Sequence, residues 1–195
     1  MSLQQPAFRP ILIYALYAVV LSIVQVTVLQ DFRVFGLQPD LTLVLAILTG
    51  YLFGKADGLW VGLGAGFLRD MLAGRTLGLG MLLLMYAGLL ARVLMADFFR
   101  RKTWMGLVQV LLITVLYELT VTLLSWFFPL LPDEVPAFSQ LFADLMTRLP
   151  VQGFLNVAVA VPLLLLLRYR GPYDPRKVHE DLDDGSTGEG KWRTI

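Results

Sequence analysis

Six apolar runs dominate the chain: residues 10–29, 41–54, 59–68, 77–96, 104–128 and 149–167. About 20 such residues, at a rise of ~1.5 Å each, cross the ~30 Å hydrocarbon layer of a bilayer. Within that layer a segment must satisfy its own backbone N–H and C=O groups, which makes the helix the expected form for runs this long. The chain is 57% hydrophobic and 16% charged, with a mean hydropathy of +0.69, too apolar for a domain that faces water on all sides. The expected fold is therefore all-α, a polytopic bundle of six transmembrane helices over residues 1–168. Residues 169–195 are polar and lack apolar periodicity, and read as a disordered cytoplasmic tail.

The first run is long for a signal-peptide core, and Gln30, Asp31 and Phe32 follow it in place of a small-x-small cleavage pattern. It is read as a retained helix. The third run is only ten residues and must extend to about Leu72, with Asp57 and the Arg69-Asp70 pair near interfaces or sheltered by protein; a re-entrant segment is the competing form. Pro162 predicts a kink in the sixth helix. Between the fifth and sixth runs, Phe138, Leu141, Phe142, Leu145 and Leu149 recur at helical spacing after three prolines. They predict a separate, short amphipathic helix on the outer face.

Charge placement sets the expected orientation. With the N-terminus inside and six spans, twelve Lys and Arg fall on inside segments. Four fall outside (Arg33, Arg69, Arg75 and Arg148), which completes the sixteen in the chain. That bias predicts both termini on the cytoplasmic side. Several chemistries are excluded. The chain has no cysteine and one histidine, His179 in the tail, so thiol chemistry, a histidine triad and a multi-histidine metal site within one chain are ruled out. Asp57 and Asp70 fall on opposite sides of the membrane and cannot share a divalent metal, as a lipid-head transferase would need. No catalytic residue, metal or cofactor is expected. A net charge of +1 gives no indication of nucleic-acid binding.

Gly58, Gly62 and Gly66 recur every fourth residue, and the same step lands on Asp70, Gly74 and Gly78. Such spacing leaves a flat stripe where another backbone can approach closely. The stripe serves either packing within the bundle, against the second or fourth helix, or capture of a partner's helix. Arg69 and Asp70 read as an interfacial turn or as a polar joint at the end of the hairpin, with Asp70 bonding backbone N–H groups of the loop through Gly74. Glu118 is a lone carboxylate inside the fifth run, costly there unless bonded. Gln152 and Asn156, one turn apart on the sixth helix, are its candidate partners, with Tyr117 and Thr114 nearer in sequence and Gln25 a weaker choice.

The run FGLQPDLTLVLAILTGYLFGKADGLWVGLGAGFLRDMLAGRTLGLGMLLLMY resembles the rod shape-determining MreD family. The likeness rests on Pro39-Asp40 opening the second helix and on a G-x3-G-x3-D-x3-G-x3-G pattern, here Gly62, Gly66, Asp70, Gly74 and Gly78. It extends over residues 10–168. It implies a non-enzymatic scaffold of the bacterial inner membrane that acts in cell elongation. The implied partner is MreC, a bitopic protein, and through it the synthases RodA and penicillin-binding protein 2 and the MreB filaments. On this reading a membrane-exposed groove borders the third and fourth helices, with Phe138 and Phe142 on the outer rim. The family is also similar in fold to the substrate-binding S-components of vitamin transporters. A small-molecule binding module, with Glu118, Gln152 and Asn156 around a pocket, is therefore the alternative. Arg92, Arg100, Arg101 and Lys102 need little beyond topology; their contact with anionic lipid or a cytoplasmic filament, and self-association, are left open.

Overall fold

The computed structural model describes residues 8–29, 31, 33–72, 78–94, 103–127 and 138–172. Among these residues the protein is an all-α bundle of six helices: α1 (Phe8–Thr27), α2 (Leu41–Phe53), α3 (Lys55–Leu72), α4 (Leu79–Val93), α5 (Thr103–Phe127) and α6 (Phe138–Arg170). Three of them, α1, α5 and α6, are long and apolar enough to cross a membrane. Their exposed faces are apolar, with Leu12, Leu16, Leu111 and Phe154 turned outward. An apolar exterior of this extent suits lipid rather than water, and the protein is a helical membrane protein.

The shortest helix is the central one. All 13 residues of α2 are buried, and it contacts every other helix. A helix that is apolar on all sides belongs in a core. At ~1.5 Å per residue it covers only about 20 Å, and it is enclosed by the bundle. Successive helices run antiparallel. Tyr14 of α1 meets Phe53 at the end of α2, and Gln25 of α1 meets the start of α2. Likewise Gly58 of α3 lies on Gly50 of α2 and on Gly88 of α4. One end of the molecule, termed the hub end below, thus gathers the last turns of α1 and α3 and the first turns of α2 and α4. A tight turn lies over it. Val34 and Leu37 exchange backbone hydrogen bonds of 2.8 and 3.0 Å around Phe35 and Gly36, both at positive φ, as a two-residue primed turn requires.

The glycine stripe closes the α3–α4 seam. A Cβ added at Gly66 would stand 2.5 Å from the Met81 Cα, and one at Gly58 would stand 2.6 Å from the Gly50 Cα and the Gly88 carbonyl oxygen. One at Gly62 would fall on the Leu84 carbonyl. Backbone lies against backbone along three turns, and α3 and α4 form the closest pair in the bundle. The membrane-exposed groove expected at this seam is therefore filled by the hairpin itself.

The third run extends to Leu72 as expected, in one continuous helix of 18 residues. One further expectation changes. The separate amphipathic helix does not exist: Phe138 and Phe142 belong to the first turns of α6, a single helix of 33 residues that passes through Pro150 and Pro162. A proline removes one donor and frees the carbonyl four residues earlier, and helices in membranes tolerate that where neighbours or water satisfy the carbonyl. Most of the expected tail lies outside the described residues.

The seam makes a direct prediction. Gly62→Leu and Gly66→Leu are each expected to abolish monodisperse folded protein in detergent. Gly64→Ala, where an added Cβ meets nothing within 4 Å, should leave yield and melting temperature intact. Size-exclusion chromatography with thermal unfolding distinguishes the two results.

Candidate functional site

The first turn of any helix has backbone N–H groups without partners inside the helix. At the start of α2, the Asp40 side chain accepts from the Leu43 N–H at 2.9 Å and from the Thr42 hydroxyl at 2.7 Å. Its other oxygen takes the Arg69 guanidinium at 2.7 Å, and both side chains are 15% exposed. Arg69 also donates to the Tyr117 hydroxyl at 2.9 Å. One ion pair thus ties α2 to α3, and through Tyr117 to α5.

The stretch leading into α2 is held from both sides. Gln25 of α1 donates to the Pro39 carbonyl at 3.0 Å and accepts from the Leu41 N–H at 2.7 Å. From α6, Gln152 donates to the Gln38 carbonyl at 3.0 Å, and Asn156 accepts from the Asp40 N–H at 2.8 Å. Asn156 in turn donates to the Thr114 hydroxyl of α5 at 3.1 Å. Polar side chains of α1, α3 and α6 therefore converge on residues 38–41, and α5 supports them through Tyr117 and Thr114.

Arg69 and Asp70 are neighbours with opposite tasks. Asp70 is 3% exposed and accepts from the Gly78 and Met81 N–H groups, each at 3.2 Å. It caps α4, whose N-cap Gly78 has φ +114. The polar-joint reading of this pair describes the structure, with Asp70 bonding across the loop. Gly74 lies outside the described residues.

Glu118 is placed differently from expectation. No hydrogen bond joins it to Gln152 or Asn156, which are occupied with residues 38 and 40, and Gln25 and Thr114 are likewise engaged elsewhere. Instead Glu118 and Gln152 line a cavity of about 450 Å³ at the hub end together with Asp40, Arg69 and Tyr117, with the exposed Arg33 and Arg148 on its rim. A second space is apolar. It runs between α4 and α5, about 430 Å³, lined by Tyr86, Leu90 and Val93 on one side and Leu116, Tyr117 and Thr120 on the other. Tyr117 lines both.

Beyond the hub, α5 and α6 continue as a paired extension. Trp126 packs edge-on against Phe138 at 5.4 Å, and Phe138 stacks on Phe142 at 6.2 Å. Both phenylalanines remain nearly half exposed. No group of three or more Asp, Glu or His among the described residues is placed to hold a metal.

The sequence signal for Asp40 was its place after Pro39, just before an apolar run, the pattern of an N-cap. Its pairing with Arg69, 29 residues away, had no local signal. A scan against protein-family models and comparisons with curated proteins and with solved structures find no match to this chain.

A double-mutant cycle tests the hub. Asp40→Asn retains a capping acceptor but leaves Arg69 without its anion, and is expected to cost ~3–5 kcal/mol of stability. In an Arg69→Met background the same change should cost only about 1 kcal/mol, the size of a weakened neutral cap. Denaturant unfolding of the four proteins reads the coupling; equal costs in both backgrounds would show that the pair is not coupled.

Proposed function

We propose that this protein is an MreD-type scaffold: a non-enzymatic, six-span subunit of the bacterial inner membrane, with both termini cytoplasmic, that captures an MreC-like single-pass partner. Through that partner it influences the RodA and penicillin-binding protein 2 synthases and MreB filaments, and hence cell shape. The observation that carries this reading is the apolar groove between α4 and α5. It lies beside a hairpin already sealed by glycines, and it leaves Tyr86, Val93 and Leu116 substantially exposed. A helix laid into such a groove would meet a rigid wall on the α4 side and aliphatic side chains on the α5 side, the contacts that drive helix association in lipid.

Two further features support it. The residues that carry the family resemblance form one unit, since Gly62 and Gly66 seal the hairpin and Asp70 caps α4 through Gly78. The described arginines assigned outside by the charge rule, Arg33, Arg69 and Arg148, all lie around the hub-end cavity, in keeping with that end facing outward. The partner's juxtamembrane segment would then pass the Phe138–Phe142 extension.

The natural absence of cysteine makes the test clean. Single cysteines at Tyr86, Val93 and Leu116 are expected to cross-link to cysteines in the membrane helix of a co-expressed MreC-like partner. A cysteine at Leu12, on the outward face of α1, should not. Cross-links from Leu12 alone, or no partner recovered with wild-type protein, would remove the reading. Reporter fusions after Arg33 and at Lys102 are expected to read outside and inside, respectively.

A further inference from the structure

We propose that the hub-end cavity binds a primary ammonium group carried beside an acidic group, with the ammonium at Glu118 and the acid at Arg33 and Arg148.

The inner charges of the cavity are already engaged. Asp40 gives one oxygen to Arg69 and the other to Leu43 and Thr42. Arg69 spends its two terminal nitrogens on Asp40 and Tyr117. Glu118 differs: it is half-buried and no hydrogen bond to it exists among the described residues. Arg148 is no settled partner, since its side chain is 65% exposed and its guanidinium leans toward Asp144 at 3.9 Å.

Glu118 lies in the second half of α5, inside an apolar run long enough to cross a membrane. A carboxylate there is expensive without a donor, and an ionised carboxylate can only accept. A cationic N–H donor is the complement that suits such a carboxylate best. The rim has the opposite character, with two exposed guanidiniums, the groups that hold phosphate or carboxylate best. An acceptor-only group inside and a cationic rim outside select a zwitterion in one orientation. A trimethylammonium would not serve, because it has no N–H to give. The cavity, about 450 Å³, falls within the ~300–1,000 Å³ usual for small-ligand sites. The same chemistry is available from an aminophospholipid headgroup or from a soluble aminophosphate or amino acid.

The experiment does not involve the scaffold's partner, so its outcome is independent of the reading above. Purified protein is placed in nanodiscs of equimolar phosphatidylethanolamine, phosphatidylcholine and phosphatidylglycerol, and retained lipid is read by native mass spectrometry. Phosphoethanolamine is titrated separately into phosphatidylcholine nanodiscs. A lipid source predicts retention of phosphatidylethanolamine about tenfold above the other two, the discrimination of roughly one charged hydrogen bond. A soluble source predicts saturable phosphoethanolamine binding instead. Either signal should vanish in Glu118→Gln at an unchanged melting temperature. If that variant does not fold, Arg33→Gln with Arg148→Gln, both on exposed side chains, carries the test through an equal loss. Neither signal in wild type, or a signal that persists in the folded variants, would overturn the proposal.

Discussion

Two helices of this bundle begin below the level that their neighbours reach. The start of α2 lies level with Tyr117 and Gln152, and α5 and α6 run on well past those residues to Phe127 and back to Phe138. Helix α2, with 13 residues, and α4, with 15, are about 20 and 22 Å long against a layer of ~30 Å. Their first-turn N–H groups cannot count on bulk water, and an unsatisfied donor at that depth is costly. A carboxylate answers each: Asp40 for α2 and Asp70 for α4. Both also sit at the positive end of a helix dipole. The remaining charge on Asp40 is met by Arg69, so one dipeptide at the end of α3 caps one helix and neutralises the cap of the other.

Helical elements were legible from the chain because lipid leaves few alternatives. Leu41 as the start of α2 was read directly, and α1 and α5 differ from their apolar runs by one or two residues at each end. Glycine spacing indicated that some backbone would approach α3. It could not say which, since a stripe has the same form whether it receives a neighbouring helix or a partner. The structure places α4 there. The α6 fusion was hidden by Pro150 and the polar Asp144, Thr147 and Arg148, which look like a break when helix ends are judged residue by residue.

The site was harder to read. Lone polar residues in apolar runs invited pairing with one another, and Glu118 was assigned Gln152 and Asn156 on that basis. In the folded chain those amides serve backbone groups of residues 38–40 instead. That stretch has free donors and acceptors of its own, and local sequence does not display the demand that an irregular segment makes once it is buried. Asp40 and Tyr117 matter for the same reason: each answers a need created by tertiary placement.

Tyr117 forms part of the wall of both the polar cavity and the apolar groove, and its hydroxyl holds Arg69. A ring shared by two spaces cannot be displaced from one side without altering the other. An occupant of the groove that displaced that ring would change the room beside Glu118 and the hold on the arginine. By thermodynamic reciprocity, an occupant of the cavity would then alter the groove's affinity by the same factor. Tyr117 is the residue common to the linings of both spaces, so a displacement of its ring would link the membrane-facing groove to the hub-end cavity.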